Sequence, residues 1–237
     1  MESLHYLLTL SAGQIKEFDL TIIDECEANL VQHCSRTTNK EHINANIEVF
    51  KHLLKSEKEI IFADAFMSFK TYNFLKRLDI KYNVVNYTRK MKERTCIEIK
   101  GKMSSFVNVL ETSLHNNEKI IVLFLRKKKA ECLYKHMCVT FPDKKFLLYT
   151  GGLKKPHDVR KEWADVDGIF TTTTITVGIN FDLKNVFHNI FIYISARSRN
   201  KVVDIIQSHF RVRNIINNKL YFFWILLYLN IYQPIIL

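Results

Sequence analysis

The chain has 237 residues, 47% of them hydrophobic and 25% charged, which suits a globular protein with one large domain or two modest ones. Thirty-five Lys and Arg against 24 Asp and Glu give a net charge of +11 and a pI near 9.4, a balance that favours a polyanionic partner, nucleic acid or an acidic membrane face. Cys26, Cys34, Cys96, Cys132 and Cys138 form no CxxC pair, which argues against a disulfide framework or a zinc site and for a reducing compartment, and Met1 to His5 carry no basic n-region of a secretory signal.

Taken in order, residues 1–17 hold a short apolar segment, Leu4 to Leu10, and a polar loop. Phe18 to Glu27 follows, an apolar, β-branched run bounded by acids that predicts a buried strand delivering Asp24 and Glu25 to its carboxyl end. Ligands of open parallel sheets gather at that edge, where a nucleotide motor needs one acid for Mg²⁺ and one to orient the attacking water. The plainer reading, that these acids open a helix whose positive end favours them, stays open at this point. Residues 39–55 carry Ile43, Ile47, Phe50 and Leu54 at helical spacing behind a Thr38/Glu41 capping pair. Glu59 to Asp64 predicts a second strand ending in an acid, Thr71 to Leu78 a helix, and Ile80 to Tyr87 a further strand. A polar, basic stretch from Thr88 to Arg94 then marks a boundary between two lobes.

Beyond it, helices are predicted over Ser105 to Leu114, Lys127 to Met137, Pro156 to Ala164 and Val202 to Phe210. Strands are predicted over Lys119 to Leu125, Lys145 to Tyr149, Gly168 to Thr172 and Phe187 to Ser195. This alternation predicts an α/β fold with mostly parallel sheets. Leu220 to Leu229 is apolar and is interrupted by Asn230, Gln233 and Pro234. It falls short of the roughly 20 apolar residues a span requires. A last core strand or a tail over 220–237 is expected, and no membrane partner.

Three constellations carry chemistry. The first is the acidic strand end, Asp24 and Glu25. The second is Gln207 and Arg211 on one helix face with Arg213 just beyond, guanidiniums suited to charge on a transferred phosphoryl group. The third is the Thr171 to Asp182 loop, whose hydroxyls and Gly178 can face phosphate oxygens while Asp182 accepts from a sugar hydroxyl. Each alone is weak, since a basic helix end or a threonine-rich strand is commonplace. Their order is more specific.

Glu2-Ser3-Leu4-His5, Ile22-Ile23-Asp24-Glu25, Asp64-Ala65-Phe66, Tyr149-Thr150-Gly151, Thr176-Val177-Gly178-Ile179-Asn180-Phe181-Asp182 and Gln207-Ser208 with Arg211-Val212-Arg213 follow one another. In that order the chain resembles superfamily-two helicases, and more closely the replication origin-binding protein helicases of herpesviruses, over residues 2 to 214. The resemblance implies two RecA-like lobes, residues 1–90 as the rear part of a first, incomplete lobe and 91–219 as the second, with ATP–Mg²⁺ between them and DNA across their outer face. Asp24 would hold Mg²⁺ through water, Glu25 would polarise the hydrolytic water, and Gln207, Arg211 and Arg213 would approach the phosphates. Gly178 and Asp182 would contact the nucleotide, and Ser68, Thr150, Gly151 and Thr176 the DNA backbone. The implied setting is intracellular, in the nucleus by family function.

Two features depart from the family pattern. No GxxxxGK[ST] phosphate loop occurs in the 237 residues, and Phe210 stands where the family usually has glycine. The expectation is a truncated member of an ATP-dependent DNA helicase family, inactive as an isolated ATPase. The rival expectation is a non-catalytic basic module that binds nucleic acid or acts as a scaffold.

Overall fold

The computed structural model describes residues 18–33, 43–87, 94–151, 158–173, 181–195 and 202–225. The chain divides into two compact units, Met1–Thr88 and Arg89–Leu237.

In the first unit, β1 (Leu20–Asp24) leads into α1 (Cys26–His33), then α2 (Ile43–Ser56), β2 (Glu59–Ala63) and α3 (Phe69–Arg77). β1 and β2 pair in parallel, Leu20 opposite Glu59 and Asp24 opposite Ala63. Alternation sends Ile23, Ile60 and Phe62 against Phe50, Leu53 and Leu54 of α2. The opposite alternation leaves Ile22 61% exposed, with Leu20 and Ile61 also exposed, so one apolar sheet face is uncovered by the described residues. Ser68 starts α3 as its N-cap, its side chain accepting from the Lys70 N–H. The strand expected over Ile80 to Tyr87 is not formed. Residues 81–87 are exposed and irregular, because an apolar alternation becomes a strand only where a neighbouring strand takes up its backbone groups, and none does so among the described residues.

The second unit is a six-stranded sheet with helices on both faces. Its elements are β3 (Thr95–Glu98), α4 (Met103–His115), β4 (Ile120–Phe124), α5 (Lys127–Thr140), β5 (Phe146–Tyr149), α6 (Val159–Ala164), β6 (Gly168–Thr172), β7 (Phe187–Ser195), α7 (Val202–Phe210) and β8 (Ile215–Ile225). The strand order is β3-β8-β7-β4-β6-β5, with every neighbouring pair parallel. Strands buried on both faces need continuous apolar runs, and β4 supplies one. Its Ile120, Val122 and Phe124 face a cluster with Phe106, Leu110, Leu133 and Met137. Ile121, Leu123 and Leu125 face a second cluster with Trp163, Phe181, Ile205 and Val212. Phe106, fully buried, meets the rings of Phe191, Tyr193 and Phe223 at 5.5–6.2 Å between centroids. β6 begins on Gly168 because a Cβ there would lie 2.9 Å from Phe146 Cδ1.

The short strand β3 was not foreseen. Its four residues are mostly exposed and follow a basic stretch. The apolar run beginning at Leu220 belongs, as far as Ile225, to β8, which sits between β3 and β7. A boundary at 219/220 therefore falls inside a strand. No helix among the described residues is long and apolar enough to cross a membrane.

Candidate functional site

The acidic turn is built at the carboxyl end of β1. Glu25 takes a left-handed conformation, φ 51°, which an L-residue with a long side chain adopts only when its surroundings impose it. The constraints are visible. Asp24 Oδ1 accepts the Glu25 N–H at 3.0 Å, Asn29 Nδ2 donates to the Asp24 carbonyl at 2.6 Å, and the Asn29 N–H donates to the Glu25 carbonyl at 3.0 Å. The turn that opens α1 thus holds two adjacent carboxylates at a sheet edge.

Glu27, one turn on, ties this corner to α3. Its carboxylate accepts from Ser68 N at 2.7 Å, Ser68 Oγ at 2.7 Å and Thr71 Oγ1 at 2.6 Å. Burial raises its pKa, but the hydrogen bonds from Thr71 and Ser68 outweigh it and hold the carboxyl below the usual carboxylate range. Asp64, at the end of β2, accepts the Glu27 N–H at 3.0 Å and the Phe66 N–H at 2.8 Å. Ser68 is therefore committed inward, to Glu27 and to its own helix. Cys26 is no nucleophile: burial, then the Asp64 carboxylate, push its thiol up to about 11.

Asp24 fits a hydrated Mg²⁺. One oxygen serves the Glu25 N–H, and the carboxylate is exposed with no further partner among the described residues. Mg²⁺ keeps several waters and takes one or two carboxylates with substrate phosphates. Among the described residues no group of three or more His, Cys, Asp or Glu could cage a metal unaided. A nucleotide's phosphates, by contrast, meet no glycine-rich cradle in the 237 residues.

In the second unit, the carboxyl edge of the sheet gathers charge and hydroxyls. β4 ends at Phe124, and Arg126 to Lys129 follow at the start of α5, all four exposed. Lys127 Nζ donates to the Gly151 carbonyl at 2.7 Å, joining the ends of β4 and β5. Next to it Thr150 is 3% exposed, and its Oγ1 has no hydrogen-bond partner among the described residues. A buried hydroxyl without a partner costs on the order of 1–3 kcal/mol, so a ligand that supplied one would be favoured there. Thr172 and Thr173, at the end of β6, lie between β4 and β5 in the strand order. Thr176 and Gly178 lie outside the described residues.

The structure also brings Asp182, Arg211 and Arg213 together. Phe181 forms a parallel bridge with Val212: the Phe181 N–H donates to the Arg211 carbonyl at 2.8 Å and the Arg213 N–H to the Phe181 carbonyl at 3.0 Å. Asn214 Nδ2 donates to the Asp182 carbonyl at 2.6 Å, and the Asp182 carboxylate pairs with Arg160 at 2.9 Å. Gln207 is half-buried on α7. Arg94 braces the helix end from the other side, donating to the His209 carbonyl at 3.0 Å and to the Val212 carbonyl, with its guanidinium 5.3 Å over the Phe210 ring. Phe210 is thus accommodated by a cation. Burial, with a smaller push from Arg94, brings the His209 pKa down to about 4.

Three contributors escaped the sequence reading: Glu27 as a tether, Arg94 as a brace, and Arg126 to Lys129 as a cationic edge. Only the last had a visible signal, four cations in a row behind an apolar strand. The other two act across 41–44 and 115–118 residues, separations that a single sequence does not reveal.

A family model described as origin of replication binding protein matches residues 62–231. The chain belongs to that family. It is 26% identical over 246 residues to the replication origin-binding protein of human herpesvirus 6A, covering 99% of this chain and 30% of that protein. The human herpesvirus 7 protein of the same name is 25% identical, covering 94% of this chain and 28% of its own length. The chain therefore spans less than a third of these relatives. Among solved structures it is similar to the DEAD-box helicase Mss116 bound to ssRNA and UDP-BeF, with a TM-score of 0.61 at 14% identity over 93% of this chain and 46% of that one. It is also similar to the helicase MrfA bound to DNA and AMPPNP, with a TM-score of 0.56 at 13% identity over 93% of this chain and 31% of that one. At these identities the likeness shows the fold, which is RecA-like.

Proposed function

We propose that this chain carries the acidic-turn part of one RecA-like lobe and a second lobe of an ATP-dependent DNA helicase or translocase acting in DNA replication at origins. The observation that carries the DNA-binding part is the carboxyl edge of the six-stranded sheet, where Lys127 holds the ends of β4 and β5 together beside a row of exposed cations and the Thr150 hydroxyl, which has no partner among the described residues. Lysines and hydroxyls bond phosphate oxygens and not base edges, which suits tracking along a strand of any sequence. Family membership and a net charge of +11 support the same reading.

In this reading Asp24 would hold Mg²⁺ through water and Glu25 would orient the attacking water. The Mg²⁺–nucleotide pair would supply the charge neutralisation that phosphoryl transfer requires. The chain's own residues do the positioning: the left-handed turn at Glu25 aims the acid pair, and the bridge at Phe181 fixes the backbone from which Arg211 and Arg213 project. Both arginines and Gln207 would contribute charge and hydrogen bonds to phosphate. Gly151, Thr176, Gly178 and Asp182 keep the roles expected from the resemblance, whereas the Ser68 hydroxyl is taken up by Glu27 and the start of α3, and the nucleus is the compartment such a function implies.

One observation favours a second reading, a binding module without hydrolysis: the phosphate loop is not among these residues. The two separate in one experiment. Affinity of the chain for labelled oligothymidylate is measured with and without ATP–Mg²⁺, for the natural chain and for Glu25→Gln. A helicase segment gives an affinity that changes with nucleotide and a changed response in the variant. Binding indifferent to both ATP and Glu25→Gln refutes the helicase reading for this chain.

A further inference from the structure

The same sheet edge continues past β4 to β8 and β3, and a pocket of about 450 Å³ opens at its far end. We propose that this pocket holds one nucleotide of a single DNA strand, its base stacked on Trp224 and its backbone phosphate paired with Lys100 and Lys102. The inference rests on the DNA-binding reading above and extends the strand's path beyond the residues named there.

Size and lining both fit. Ligand pockets run from roughly 300 to 1,000 Å³. Trp224 lines the pocket and is 43% exposed, whereas the other tryptophan, Trp163, is buried. A large indole left open on a strand invites a stacking partner, and stacking is the sequence-tolerant way to hold a base. The ring is steadied by Phe222, edge-on at 5.6 Å. Lys100 and Lys102 flank the same pocket, both exposed and neither with an acidic partner among the described residues. Glu98 is the one acid in the lining; it can accept from an exocyclic amine of a stacked base. Between the lysines Gly101 has φ +107°, and a Cβ there would meet Ser105 Oγ at 2.8 Å, so the turn that sets the two lysines apart requires glycine. β8, which carries Trp224, stands two strand positions from β4, roughly 10 Å at the usual strand spacing, a distance one extended strand of DNA bridges from Arg126 to Trp224.

The test uses the full chain and oligothymidylate, read by tryptophan emission and, separately, by anisotropy of a labelled oligomer. Emission from Trp224 is expected to be quenched on binding, while buried Trp163 keeps its signal. Trp224→Ala is expected to weaken affinity about 5- to 150-fold, the range for one lost base–aromatic stack. Trp224→Phe keeps a stacking face and retains most of the affinity, which separates stacking from loss of fold. Replacing Lys100 and Lys102 by alanine is expected to flatten the salt dependence by about 1.4 in slope, two single-strand phosphate contacts. If the oligomer binds but emission is unchanged and Trp224→Ala stays within about twofold, the pocket is off the path and this inference alone falls. If the natural chain shows no binding by anisotropy, the DNA reading and this inference fall together.

Discussion

Replacing Glu27 by alanine tests how the acidic turn is held. In the structure one carboxylate collects three hydrogen bonds, from the Ser68 N–H, the Ser68 hydroxyl and the Thr71 hydroxyl, at 2.6–2.7 Å. Hydrogen bonds to a charged group contribute about 1.5–3 kcal/mol each when measured singly. The three share one acceptor and the site is partly open to water, so their loss is not additive. A destabilisation of the first unit on the order of 3 kcal/mol is expected for Glu27→Ala, and roughly half that for Glu27→Gln, which keeps one acceptor oxygen. Hydrogen exchange of the α3 amides reads it, because α3 is the element tethered and its opening is local. The acid range supplies a second readout. The folded pKa lies below the ordinary 4.5, so this stabilisation is complete above about pH 4.5 and is lost as pH falls through the folded value; Glu27→Gln removes that dependence. Unchanged α3 protection, a shift under about 0.5 kcal/mol, would refute the tether.

Further outcomes follow from single contacts. Gly168→Ala places a Cβ 2.9 Å from Phe146 Cδ1 and 3.3 Å from Ile120 Cγ1 and is expected to cost about 1–3 kcal/mol by overpacking, measured by urea unfolding. His209 is buried with a pKa of about 4 against an ordinary 6.5. The unfolded chain therefore takes up a proton first, and stability falls between pH 6.5 and 4 by on the order of 3 kcal/mol; His209→Gln abolishes that part of the slope. Ile22, 61% exposed on the sheet face that the described residues leave uncovered, is expected to accept threonine within about 0.5 kcal/mol. Light scattering should show less self-association of that variant.

Much of the fold was legible because buried parallel strands announce themselves. β4 is an unbroken apolar run, β7 carries another from Ile190 to Ile194, and helices precede or follow most of the strands. β3 was illegible for the opposite reason. A four-residue edge strand with one paired side needs little apolar surface, and its sequence looks like the basic connector before it. Residues 80–87 misled in turn, since alternation records only the capacity to pair. The candidate site divided the same way. Asp24 and Glu25 were readable from a strand ending in acids, and Asp182 with Arg211 and Arg213 from motif order. Their mutual fixing through the Phe181–Val212 bridge was not readable, because a single isolated bridge is too short to leave a periodic pattern in residue identity.

DNA binding through phosphate at the carboxyl edge of the six-stranded sheet is the proposal from which the others follow. The salt dependence of oligothymidylate affinity tests it most directly, for the natural chain and for a variant with Arg126, Lys128 and Lys129 changed to alanine. Lys127 is left in place because it joins β4 to β5. A steep linear fall of log affinity with log salt is expected, with the variant's slope shallower by about 2, near 0.7 for each single-strand phosphate contact removed. An affinity indifferent to salt, or a variant with an unaltered slope, would contradict it.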